Sequence, residues 1–209
     1  MTWPWVVLAE TLAYVRWRWA AERRPECLAF DALHGTDTAN WTLDYEPTAV
    51  SLIHEVLDAW DGDPTTTTFC DLGCGKGRAL LVAARKPFVR VVGIEHIRKL
   101  AQIATTNARV DSGPGRLAPI EVFRANAAKF KFPDGPLLVY LYNPFGADVL
   151  EAALEGIRDR AVDVIYLCPQ QETTVLKAGF VEVRRKGAAT VEEDWRLYRR
   201  EGTAAETAT

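Results

Sequence analysis

Asp71-Leu72-Gly73-Cys74-Gly75-Lys76-Gly77 closes a short strand ending in Phe69-Cys70-Asp71-Leu72 and leads into a helical pattern from Ala79 to Arg85. Glycines in such a turn let the backbone bend sharply and approach a ligand closely. Three readings compete. A P-loop needs Gly-Lys followed by Ser or Thr, and here Gly75-Lys76 is followed by Gly77. The dinucleotide fingerprint GxGxxG cradles a pyrophosphate. Here the third glycine comes one residue early, and a carboxylate, Asp71, precedes the turn. Negative charge is unfavourable beside a phosphate and favourable beside a cationic ligand group. The third reading is a tight strand-to-helix turn that binds nothing.

Outward from this turn the pattern is regular. Arg90–Glu95, Ile120–Ala125, Leu137–Tyr142 and Val162–Leu167 read as further strands, with helices over 97–109, 147–158 and 171–178 between or after them. Phe180–Arg185 and Trp195–Arg199, joined by Gly187 and a polar loop, predict an antiparallel hairpin. Alternation of this kind predicts a parallel sheet with helices on both faces, whose ligands bind outside the carboxyl ends of the strands.

Ahead of the first strand, Pro47 opens a predicted helix whose apolar face is Val50, Ile53, Val56, Leu57 and Trp60. Residues 31–46 are polar and turn-rich and read as a loop. Residues 4–24 read as a helix with one stripe of Trp5, Leu8, Leu12, Val15 and Trp19, stopped by Pro25. Glu10, Arg16 and Arg18 break that stretch, so it does not predict a membrane span. The domain expectation is a helical cap or extension over 1–64, a core over 65–200 and a disordered tail over 201–209.

The chain has 209 residues, 48% of them hydrophobic, and a net charge of −3. That composition is globular and lacks the basic excess of a dedicated nucleic-acid binder. Cys27, Cys70, Cys74 and Cys168 form no CxxC pair, and no histidine stands at metal-ligand spacing from them, so no metal site is expected. Reduced thiols and the lack of a signal-peptide pattern predict a cytoplasmic protein.

Each early strand ends in a polar or glycine-rich group. Glu95 ends the second, where a carboxylate can accept both hydroxyls of a ribose. His96 follows it. Asn126-Ala127 follows the third strand, where an amide can meet an adenine edge. Tyr142 ends the fourth and Asn143-Pro144-Phe145-Gly146 follows. Tyr45-Glu46-Pro47-Thr48 enters the preceding helix, which brings Tyr45 and Thr48 within reach of a cofactor. On the acceptor side the candidates are His34, Asp37, Trp41 and Tyr45. His34 is the possible general base, because histidine titrates near neutrality.

As a set, these residues resemble class I S-adenosylmethionine-dependent methyltransferases over residues 65–200. The resemblance implies a Rossmann-like seven-stranded, mostly parallel sheet of order 3-2-1-4-5-7-6 with the last strand antiparallel. It implies S-adenosylmethionine as cofactor, with Asp71, Gly73, Cys74, Gly75 and Gly77 at its methionine part and ribose. Glu95 matches the ribose-binding acid, His96 a residue flanking the adenine, and Asn126-Ala127 the adenine-contacting Asp-Ala. Asn143-Pro144-Phe145 resembles the Asn-Pro-Pro-Tyr element of amino-methylating members, with the second Pro replaced. The implied activity is N-methylation of a protein side chain or small-molecule amine, with Asn143, Tyr142 and His34 as candidate catalytic residues and Asn143 also against the cofactor. A nucleic-acid adenine acceptor is the alternative, disfavoured by the low basic charge, and a non-catalytic cofactor-binding protein is the other. The Trp-rich first helix raises the expectation of a homodimer.

Overall fold

The computed structural model describes residues 25–38, 47–142, 144–187 and 194–202. The predicted helix over 4–24 and the tail from 203 lie outside them. The first described helix is α1 (Pro25–His34). Proline suits a helix's first turn, whose N–H has no partner within the helix. This helix overlaps the start of the predicted loop over 31–46. Helix α2 (Val50–Ala59) starts three residues after Pro47. Thr48 is held outside it, because its carbonyl accepts a hydrogen bond from the Arg78 guanidinium at 2.8 Å.

The core then alternates β1 (Thr68–Leu72), α3 (Arg78–Ala83), β2 (Arg90–Glu95), α4 (Arg98–Val110), β3 (Ile120–Arg124), β4 (Leu137–Tyr142), α5 (Ala147–Glu155), β5 (Val162–Leu167), α6 (Glu172–Lys177), β6 (Val181–Lys186) and β7 (Trp195–Arg200). A one-turn 3-10 helix, Ala127–Lys129, follows β3. The sheet order is β3-β2-β1-β4-β5-β7-β6, as expected. Strands β1 to β5 pair in parallel, whereas β7 runs antiparallel to both β5 and β6.

Strand alternation sorts the core into two layers. Phe69, Leu138, Tyr140 and Ile165 face α2 and α3, packing with Ile53, Leu57, Leu80 and Leu81. Cys70, Leu72, Val139, Leu141 and Val164 face α5 and α6, packing with Leu150, Leu154 and Val175. Helix α2 is therefore a layer of the sheet's own core, and Phe30 of α1 joins the same cluster. The described part of residues 1–64 lies on a sheet face.

The two sheet edges differ. At β6 the pairing shifts between Glu182 and Arg184, a bulge at Val183, and Arg184, Arg185 and Lys186 follow it. At β3, Phe123 and Arg124 are exposed. Crossovers reverse direction between β1 and β4, and that switch point is where open α/β sheets present their ligand crevice.

Candidate functional site

The glycine turn sits at this switch point. The Ile94 carbonyl accepts hydrogen bonds from the N–H groups of Gly73 (2.8 Å) and Cys74 (3.1 Å), which bends the chain off β1 across the end of β2. Gly73 has φ +86°, and a Cβ there would lie 2.5 Å from the Cβ of Pro144. Both the left-handed backbone and the close approach exclude a side chain. The contact also presses the turn against the loop after β4.

The bend carries Gly75 to Glu95. One Glu95 carboxylate oxygen accepts from Gly75 N–H at 2.9 Å and the other from Ile97 N–H at 2.7 Å. These bonds fix the buried carboxylate at the strand end and leave lone pairs on both oxygens for a pair of hydroxyls. Asp71, beside Gly93 on one strand and Tyr140 on the other, is buried. Burial first, and the Glu95 charge second, push its carboxyl well above the ordinary range. No cation among the described residues pulls it back. Burial, then Asp71 and Glu95, also raise the Cys74 thiol, so it is no nucleophile. Burial raises the Cys70 thiol to about 12.

At the same rim, the side-chain oxygen of Asn126 accepts from Ala128 N–H at 2.9 Å and caps the 3-10 turn. Ala127 is buried under it, and His96 is exposed after Glu95. Tyr142 is half-buried at the end of β4. Asn143 and Tyr45 lie outside the described residues, as does Trp41. Thr48 reaches the turn indirectly, through Arg78, the residue after Gly77. Among the described residues no group of three potential ligands could hold a metal.

His34 is elsewhere. Its ring stacks on Phe30 at 4.1 Å, and Nδ1 lies 2.7 Å from Asp111 and 2.6 Å from an Arg85 guanidinium nitrogen. Asp111 follows α4 and Arg85 follows α3. Helices that follow parallel strands end at the amino rim, opposite the glycine turn. The buried ring is a structural partner of Asp111, not a member of the rim constellation. This placement gives no support to the expectation that His34 serves as a base: a turn histidine can be drawn into either rim, and its sequence neighbours do not say which.

Sequence reasoning missed Asn107 and Arg78, both buried. Asn107 stands among Leu100, Ala101, Ala104 and Ala108 on the apolar face of α4, and a lone amide on such a face was a signal.

No family model and no curated protein sequence matches the chain. Solved structures do. A magnesium protoporphyrin IX methyltransferase from Synechocystis PCC 6803, crystallised with SAM, aligns with TM-score 0.54 at 16% identity, covering 72% of this chain and 77% of that one. A putative methyltransferase, yhhF, from Escherichia coli aligns with TM-score 0.54 at 23% identity over 72% and 86%. The chain has the class I methyltransferase fold. An RNA methyltransferase from Salinibacter ruber in complex with S-adenosyl-L-homocysteine aligns with TM-score 0.50 at 21% identity over 73% and 91%. Seen through this fold, the switch-point turn and the acid at the end of β2 lie at the crevice where open sheets of this kind take their ligands.

Proposed function

We propose that the chain is an S-adenosylmethionine-dependent methyltransferase acting on nitrogen, in a protein side chain or a small-molecule amine. The observation that carries this reading is the buried Asp71 carboxyl behind a glycine turn, raised by burial and uncompensated by any described cation. Such a group favours a ligand with positive charge, and the structural neighbours crystallised with SAM and S-adenosylhomocysteine support that ligand.

Asp71, Gly73, Cys74, Gly75 and Gly77 hold the methionine part and ribose in this reading. Glu95 accepts the ribose hydroxyls, and His96, Asn126 and Ala127 border the adenine. Tyr45 and Thr48 border the cofactor from the segment before α2. The cofactor supplies a sulfonium methyl group, transferred in line to the acceptor's lone pair while the carbon–sulfur electrons return to sulfur. The residues' task is to hold the acceptor in line and keep water out. Asn143 accepts hydrogen bonds from the acceptor N–H and aims the lone pair, and Tyr142 walls the site beside it. The amine attacks neutral and sheds a proton to solvent afterwards.

The acceptor reading rests on Asn143-Pro144-Phe145 and on charge. Arginines of the last hairpin are engaged within the protein: Arg199 with Asp61 and Asp163, Arg196 with Glu182 and Asp194, Arg184 with the Ala59 carbonyl. They do not form a free phosphate-binding stripe. Among the described residues no helix is long and apolar enough to cross a membrane. A cytoplasmic location and a homodimer through the first helix belong to the same proposal. Removing residues 1–24 should halve the mass in light scattering, and an unchanged mass removes the dimer.

Calorimetric titration tests the cofactor reading directly. SAM and S-adenosylhomocysteine should bind at micromolar concentration and NAD should not. Binding of NAD, or of neither adenosyl compound, overturns it.

A further inference from the structure

The chain between α1 and α2 is bolted to the glycine turn by two buried polar side chains. Asn107 is 3% exposed. Its carbonyl oxygen accepts from Asp37 N–H at 3.0 Å. Its amide nitrogen donates to the Asp37 carbonyl at 3.1 Å and to the Lys76 carbonyl at 2.9 Å. Arg78 is 2% exposed. It donates from Nε to Thr38 Oγ1 at 3.0 Å and from a terminal nitrogen to the Thr48 carbonyl at 2.8 Å. Thr38 Oγ1 in turn donates to Asp31 at 2.6 Å. The Lys76 ammonium, itself buried, reaches Asp37 at 3.4 Å.

The Lys76–Gly77 peptide is the centre of this arrangement. Its N–H end donates to the Cys74 carbonyl at 2.8 Å. Its carbonyl end is held by Asn107. Gly77 has φ +86°, and a peptide next to glycine rotates with little steric resistance. Without a partner on the carbonyl, the Cys74 bond at the N–H end alone opposes turning the peptide plane over, and only one orientation keeps the turn seen here. A ligand that needs one of several turn conformations binds more weakly by the fraction of molecules that have it.

We propose that Asn107 is a positioning residue for the cofactor. It fixes the Lys76–Gly77 peptide plane, and Arg78 steadies the same turn from Thr38 and Thr48. This rests on the glycine turn being the cofactor site.

The test uses the full chain and S-adenosylhomocysteine as probe, at a temperature where circular dichroism shows native structure. Asn107→Asp replaces the donor facing two carbonyls by an acceptor and should raise Kd at least tenfold. Thr38→Val removes the hydroxyl that accepts from Arg78 Nε, is milder for folding and should raise Kd about threefold. Val175→Ala, buried on the opposite sheet face, should lower stability without changing Kd. Hydrogen exchange of the Gly77 amide should speed up in ligand-free Asn107→Asp. Unchanged affinity in both folded variants, or equal weakening by Val175→Ala, overturns the proposal. Absence of binding by the unaltered protein removes the site reading, and the Gly77 exchange rate then still decides whether Asn107 fixes the peptide.

Discussion

Asp71 and Asp111 both have covered carboxyls, at opposite rims of one sheet, and these carboxyls move in opposite directions. At the amino rim Asp111 receives two guanidinium contacts from Arg85, at 2.6 and 2.7 Å, together with His34 and Gly113 N–H. Burial opposes ionisation there, but the Arg85 and His34 hydrogen bonds and the Arg85 charge outweigh it, so the carboxyl lies below its ordinary range. At the carboxyl rim Asp71 has only burial and a second acid, and lies well above it. The first rim is internally balanced and closed. The second has two acids and no counter-ion from the described residues behind a turn shaped for close approach, an arrangement that favours a ligand with positive charge.

Breaking the balanced side should have the largest effect. Asp111→Ala leaves Arg85 and His34 facing each other and should cost about 3–5 kcal/mol, read by urea unfolding. Because the Asp111 carboxyl is lowered in the folded state, its contribution is present above the unfolded carboxyl range and is lost as pH falls through the lowered folded value. An unfolding midpoint that does not fall with the substitution would contradict the contrast between the rims.

On the unbalanced side, Gly73→Ala places a Cβ against Pro144 and forces a left-handed alanine. Affinity for S-adenosylhomocysteine should fall by about 3 kcal/mol or more, roughly a hundredfold or beyond. Glu95→Ala should lower it by about 1–3 kcal/mol, since the Gly75 N–H left unpaired is buried. Unchanged calorimetric affinity in either variant would place the cofactor elsewhere.

Asp71→Asn sharpens the comparison most, with the smallest effect. A carboxyl raised in the folded state binds its proton there at pH values where the unfolded chain has lost it. Stability without ligand therefore falls as pH rises from the ordinary carboxyl range towards the raised value. Asparagine removes this dependence and should stabilise the ligand-free protein at neutral pH by about 1 kcal/mol, while weakening cofactor binding. Melting curves from pH 4 to 8 with and without ligand read both, and a destabilised ligand-free variant at neutral pH would refute the account of Asp71.

Much of this was legible in the sequence because periodicity and punctuation agreed. The strands Arg90–Glu95, Leu137–Tyr142 and Val162–Leu167 have the bounds their apolar runs predict. Asp71, the glycines and Glu95 meet because each stands within a few residues of a strand's carboxyl end, and parallel order brings those ends together. Long-range polar pairing was not legible. Nothing near His34 in sequence announces Asp111, and Asn107 needs the Lys76 carbonyl, a backbone group without a residue signature.

The bulge at Val183 and the three basic residues after it have a consequence away from the site. An edge strand is a template on which another molecule's backbone can grow, and kinks and like charges spoil the template. The β6 edge is protected in this way. The β3 edge, only five residues long, exposes Phe123 one residue before its end at Arg124 and has a shorter defence. When heating loosens this protein, intermolecular sheet should begin at β3, and a lysine in place of Phe123 should delay the turbidity that reports it.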